Sequence, residues 1–157
     1  MKNLIYRQIR STGLSLVLTL TALSATAFAQ MQVANFSYGK GTSAEYLSFR
    51  VENASRGEIE YAYQKSGKKN TTQVAVKYAG KTILNGAAGF KIEFPNNLIL
   101  LAFPQKDFLK VTDEKGKNAK IFRWMYVGPV KGIGTFCDAC TEDGAESVTL
   151  LKEYFLK

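Results

Sequence analysis

Apolar and polar residues alternate along most of the chain. Leu47, Phe49 and Val51 are interleaved with Ser48, Arg50 and Glu52, the period of two that sends one face of a strand into a core and the other into water. The pattern recurs with Ile59, Tyr61 and Tyr63, with Val74, Val76 and Tyr78, and with Phe90, Ile92 and Phe94. The stretches between them, NASRG, SGKKN and NGAAG, are short and rich in turn residues. Neighbouring strands are therefore expected to be antiparallel hairpin partners.

Two later segments are apolar on both faces: LILLAF (98–103) and IFRWMYV (121–127). Their second face needs a cover, and the last segment can supply one. Ala145, Val148, Leu151 and Phe155 recur at helical spacing, which predicts an amphipathic helix with Thr141 as its N-cap and acids in its first turn. Gly144 sits in that first turn, where a glycine costs up to about 1 kcal/mol of helix propensity. The expected fold is mainly β: an antiparallel barrel or sandwich of about 7–9 strands, with one C-terminal α-helix lying across the outside of the last strands.

The first thirty residues break the strand pattern. Lys2, Arg7 and Arg10 precede an apolar stretch from Gly13 to Phe28, followed by Ala27-Phe28-Ala29 before Gln30. This is the layout of a cleaved secretory signal. An uncleaved anchor is the alternative, but sixteen residues make only about 24 Å of helix against a hydrocarbon core of about 30 Å. The division is thus 1–29 as a signal peptide and 30–157 as a single β-rich domain, with no transmembrane segment after cleavage. Cleavage removes three cations and no acid, taking the net charge from +8 to +5. The remaining lysines are mixed with acids, as in QKDFLKVTDEKGKNAK, which reads as solvated surface and not as a nucleic-acid stripe. Localisation is expected to be periplasmic or extracellular, and the domain a monomer.

Composition limits the chemistry. The chain has no histidine, which excludes Ser-His-Asp and Cys-His arrangements and an imidazole base. No catalytic residue is assigned, and no metal or other cofactor is expected. The only cysteines, Cys137 and Cys140, form a C-x-x-C pair ahead of the helix. A structural zinc would need further thiolates or imidazoles that the chain lacks. Thiol-disulfide exchange is a rival reading, opposed by the neighbouring acids Asp138, Glu142 and Asp143. A structural disulfide is the expectation for an exported chain with one pair. Closing a loop of about four residues, it contributes only about 2 kcal/mol.

Binding is the function these features leave. One candidate is the loop Val130, Lys131, Gly132, Ile133, Gly134, Thr135 and Phe136, held at its end by the cysteine clasp. A second is the group Arg123, Trp124 and Tyr126. Aromatic residues spread over the strands, Tyr46, Tyr61, Tyr63, Tyr78, Phe90, Phe94 and Phe122 among them, either fill the core or line a small ligand cavity. The expected role is an exported non-enzymatic domain that binds a small ligand or an envelope protein. Inhibition of a hydrolase through the loops is a further alternative.

Overall fold

The computed structural model describes residues 31–52, 57–64, 71–126 and 139–157. It is a closed antiparallel barrel of eight strands in sequence order, followed by one helix. The strands are β1 (Gln32–Tyr38), β2 (Glu45–Val51), β3 (Ile59–Gln64), β4 (Thr71–Leu84), β5 (Ala87–Glu93), β6 (Ile99–Gln105), β7 (Phe108–Asp113) and β8 (Lys120–Trp124), and the helix α1 is Gly144–Phe155. Among the described residues no helix is long and apolar enough to cross a membrane.

The four alternating segments form strands with the expected apolar faces inward. Leu47, Phe49, Val51, Ile59, Val76, Phe90 and Ile92 all belong to one buried core. Register is set where turn chemistry is explicit. Asn85 and Gly86 both have positive φ (50° and 79°) and connect Leu84 to its partner Ala87, which is the two-residue turn whose twist matches a hairpin.

The last segment is a helix, but its cap and its seat differ from expectation. Asp143, not Thr141, is the N-cap: its carboxylate accepts the Glu146 N–H at 2.8 Å, and the Glu146 carboxylate accepts the Glu142 N–H at 2.6 Å. Thr141 has another task. Its N–H donates to the Val33 carbonyl at 3.0 Å, and its buried hydroxyl meets that of Ser147 at 2.5 Å.

Nor does α1 cover the outside of the last strands. Val148, Leu150, Leu151 and Phe155 join the core formed by inward strand residues. Phe155 stacks on Phe90 with ring centroids 4.9 Å apart and meets Phe49 edge-on at 5.6 Å. The helix therefore stops one end of the barrel. Phe36, Phe49, Phe90 and Phe122 fill the middle, each essentially inaccessible to water.

The outer apolar face of β6 is covered by different means. β5 pairs with β6 only from Phe90 to Glu93, while β4 and β5 continue as a two-stranded hairpin to the Asn85-Gly86 turn. A register shift between Tyr78 and Lys81, with Gly80 at φ 102°, bends this hairpin as bulges do. Its tip residue Leu84 lies against Gly116 of the β7–β8 turn, and Gly89 lies under the ring of Phe103. The hairpin thus crosses the outside of β6 and β7. Leu101 and Phe103 are buried there. On β8 the outer residues Ile121 and Arg123 remain exposed, so that segment has no cover among the described residues.

Closure of the barrel is uneven. β1 and β8 pair only at Phe36–Trp124 and Ser37–Arg123. Nearer the helix end, residues 139–141 take the place of β8, with a parallel bridge from Cys140 to Val33. The Val33 N–H donates to the Ala139 carbonyl at 2.7 Å.

Gly144 changes meaning in this setting. A Cβ at this position would stand 2.4 Å from the Asp107 carbonyl oxygen in the β6–β7 turn. The glycine lets the helix start touch that turn. Gly144→Ala gains up to about 1 kcal/mol in propensity but meets a backbone atom that cannot rotate away. We expect a net loss of stability of about 1 kcal/mol or more, read by chemical denaturation. A gain would show that the contact yields.

Candidate functional site

The two ends of the barrel differ in kind. The β2–β3 and β6–β7 connections lie at the end stopped by α1, while the long β4–β5 hairpin bends back outside β6 and β7 so that its tip lies by the β7–β8 turn. The β1–β2, β3–β4, β5–β6 and β7–β8 connections lie at the other, where the described residues include only a 3-10 turn at Gly41–Ser43 and no α-helix. Positions that face inward near this open end include Tyr38, Glu45, Tyr61, Tyr63, Phe94 and Lys120, by strand alternation and by their contacts, and Asp113, whose carboxylate accepts from the Lys115 and Lys117 N–H groups of the β7–β8 turn.

Glu45 and Lys120 form an ion pair inside the mouth. Lys120 Nζ donates to Glu45 Oε1 at 2.5 Å, reaching from β8 across β1, and lies 5.5 Å from the centre of the Tyr38 ring. Tyr61 Oη donates to the other carboxylate oxygen at 2.9 Å. The carboxylate is thus held by two donors from two different strands. The side chain of Glu45 is 17% exposed and that of Lys120 40%, so the ammonium is the more accessible charge.

Aromatic rings surround this pair. Tyr61 meets Phe94 edge-on at 5.1 Å and Tyr63 in a tilted arrangement at 6.0 Å, while Tyr38 lies against Phe122 at 5.6 Å. Tyr38, Tyr61 and Tyr63 are half-buried. Their rings pack on Phe122, on Phe94 and on one another, and the Tyr61 hydroxyl reaches Glu45, a division between apolar ring and polar tip that suits tyrosine.

Burial, reinforced by the hydrogen bond to Glu45 and by its negative charge, pushes the Tyr61 phenol well above its ordinary range. The native state therefore holds this proton more tightly than the unfolded chain does. The associated stability is complete below pH about 10 and is lost as pH rises through the native value. We expect denaturation midpoints that fall above pH 10, with a shallower fall in Tyr61→Phe. Equal slopes in both proteins would separate the phenol from alkaline stability.

Charge is also divided between the ends. Among the described residues, connections at the open end carry Lys40, Lys115 and Lys117 against Glu114, with Asp113 beside them at the end of β7. Those at the helix end carry, among the described residues, Glu52, Glu58, Asp107, Glu142 and Asp143 against Lys106.

The other candidates from sequence do not join this cluster. Arg123 is exposed on the outer face, in register with Phe108 and Ser37, and has no ion pair among the described residues. Trp124 and Tyr126 lie toward the helix end with ring centroids 6.3 Å apart. Tyr46 faces outward between Ser37 and Ala62. Loop residues 130–136 and Cys137 lie outside the described residues, as do residues 1–30. Cys140 is described: its sulfur accepts a long hydrogen bond from Asn35 Nδ2 at 3.6 Å. Among the described residues no three acids or cysteines gather as a metal site.

Tyr61, Tyr63 and Phe94 were legible as inward aromatics. Glu45, Lys120 and Tyr38 were not: each lies at a strand end, and in sequence Glu45 reads as the solvated face of a strand and Lys120 as the end of a run of mixed charges. Comparison with protein-family models, with curated proteins and with solved structures finds no match.

Proposed function

We propose that the protein is exported after loss of residues 1–29 and acts as a non-enzymatic binding barrel whose small ligand enters the open end. The observation that supports this reading most is the inward-facing Glu45–Lys120 pair among half-buried tyrosines. The carboxylate is taken mostly out of water while the ammonium stays 40% exposed, and an ion pair of this kind adds little net stability. A mouth that only had to fold would do better with aliphatic side chains. The phenylalanine-filled middle restricts the ligand to the mouth.

The test uses a neutral aromatic dye, N-phenyl-1-naphthylamine, whose fluorescence rises in apolar surroundings. Wild-type protein should bind it, and Tyr63→Ala should weaken binding while Ile83→Ser, on the exposed hairpin, should not. Equal binding by Tyr63→Ala, or none by wild type, would sink the reading.

In the same proposal Cys137 and Cys140 are joined as a structural disulfide. Its support is the fixed position of Cys140 against β1 and the exported setting. Mass spectrometry of the exported protein after alkylation should find both thiols blocked. Free thiols in that sample would reject the bond.

A further inference from the structure

We propose that the ligand of the open end is a small organic anion with a flat aromatic body, its carboxylate bound by Lys120 and the hydroxyls of Tyr38 and Tyr63. The proposal rests on the reading of the open end as the binding site. It is carried by a surplus of donors. Glu45 already accepts from Tyr61 and Lys120. Lys120 has three N–H donors and commits one of them to Glu45. The Tyr38 and Tyr63 hydroxyls donate to no atom among the described residues. An acceptor-rich group is what this set lacks.

A cation is the natural competitor, because tyrosine rings beside a carboxylate can form a cage for ammonium groups. Two observations decide against it. Glu45 is neutralised at 2.5 Å by Lys120 and is the more buried partner. The rim adds Lys40, Lys115 and Lys117, opposed among its described residues by Glu114 and by Asp113, whose carboxylate is occupied by the Lys115 and Lys117 N–H groups and by Asn118 Nδ2. With acids concentrated at the helix end, the molecule's field draws an anion toward the mouth and away from the stopped end. A flat body follows from the rings, which offer faces and edges to stack against.

Calorimetry on the full exported protein with three probes of one shape tests this: 1-naphthoate, its neutral amide 1-naphthamide, and 1-naphthylmethylammonium. Naphthoate should bind about tenfold more tightly than the amide, the value of one charge-assisted hydrogen bond, and the ammonium should bind most weakly. Lys120→Gln should level naphthoate and amide. Because that change strips Glu45 of its partner, the Glu45→Gln, Lys120→Gln double variant repeats the test with a neutral site. Lys115→Ser with Lys117→Ser should lower naphthoate affinity a few-fold at low salt and leave it unchanged in about 0.5 M salt, where exposed charges are screened.

Equal affinities for naphthoate and amide in wild type would overturn the anionic class and leave the mouth as a site for neutral ligands. Tighter binding of the ammonium would overturn it in favour of a cation. A preference for naphthoate that survives in the double variant would place the anion elsewhere and overturn the assignment to Lys120. If none of the three probes binds, both this inference and the reading of the mouth fall.

Discussion

Phe155→Ala should destabilise the protein by about 3–5 kcal/mol, the range for removing a buried phenylalanine. The side chain is fully buried and belongs to the helix, yet its ring meets Phe49 of β2, Tyr78 of β4 and Phe90 of β5. It is the point at which the stopper engages three strands. Each aromatic pair adds about 0.5–1.5 kcal/mol beyond burial, and the tightly packed rings around it cannot collapse into the space without moving the strands that carry them. The Phe155 carbonyl also accepts from Tyr78 Oη at 3.2 Å, which fixes the end of the helix against β4. Guanidinium denaturation of the purified protein gives the value. A loss under about 1 kcal/mol would mean that α1 does not share the core. Phe155→Leu should recover much of the loss, because volume more than aromaticity is at stake.

Gly89→Ala should cost about 3 kcal/mol, the upper end for overpacking. One methyl group is added, and it would stand 2.5 Å from the Phe103 ring and 2.6 Å from the Ala102 carbonyl oxygen. The ring could move; the carbonyl belongs to the strand next door. Gly89 is the residue at which β5 leaves β6, so the clash would push the hairpin off the outer face of β6 and expose Leu101 and Phe103. Phe103→Leu in the same chain should relieve part of the cost, giving a favourable coupling in a double-mutant cycle. A neutral Gly89→Ala would mean that the hairpin does not rest on β6.

Much of the architecture was legible because a half-buried strand advertises itself. Leu47-Phe49-Val51 and Phe90-Ile92-Phe94 have large apolar residues on one face and polar or charged ones on the other. β1 and β7 were harder. In β1 the inward Ala34, Phe36 and Tyr38 alternate with Val33, Asn35 and Ser37, and a small alanine opposite a valine blurs the period. In β7 only Leu109 and Val111 face the core, and the surrounding lysines and acids suggested a solvated loop. The helix was legible as a helix but not as a stopper. Periodicity says which face is apolar and nothing about which apolar surface receives it. Likewise, the second apolar face of LILLAF called for a cover, and the bent β4–β5 hairpin that provides one depends on a register shift that no periodicity records. The mouth cluster was the least visible part. Glu45 and Lys120 lie 75 positions apart, and only barrel closure brings them together.

The short β1–β8 seam bears on when the fold can form. Two residue pairs and the bridge at Val33 close the barrel, and the bridge comes from residues 139–141, after all eight strands in the sequence. Until those residues are available, the first half of β1, around Val33, presents an unpaired edge to its surroundings. Such edges recruit other chains, and contacts this distant along the sequence form slowly. A chain emerging N-terminus first must therefore carry β1 through the whole of its synthesis before the seam can be sealed. The protein passes through a period of vulnerability whose length is set by the last quarter of its sequence, and a holding factor that masks extended β segments should raise its yield more than one that accelerates folding.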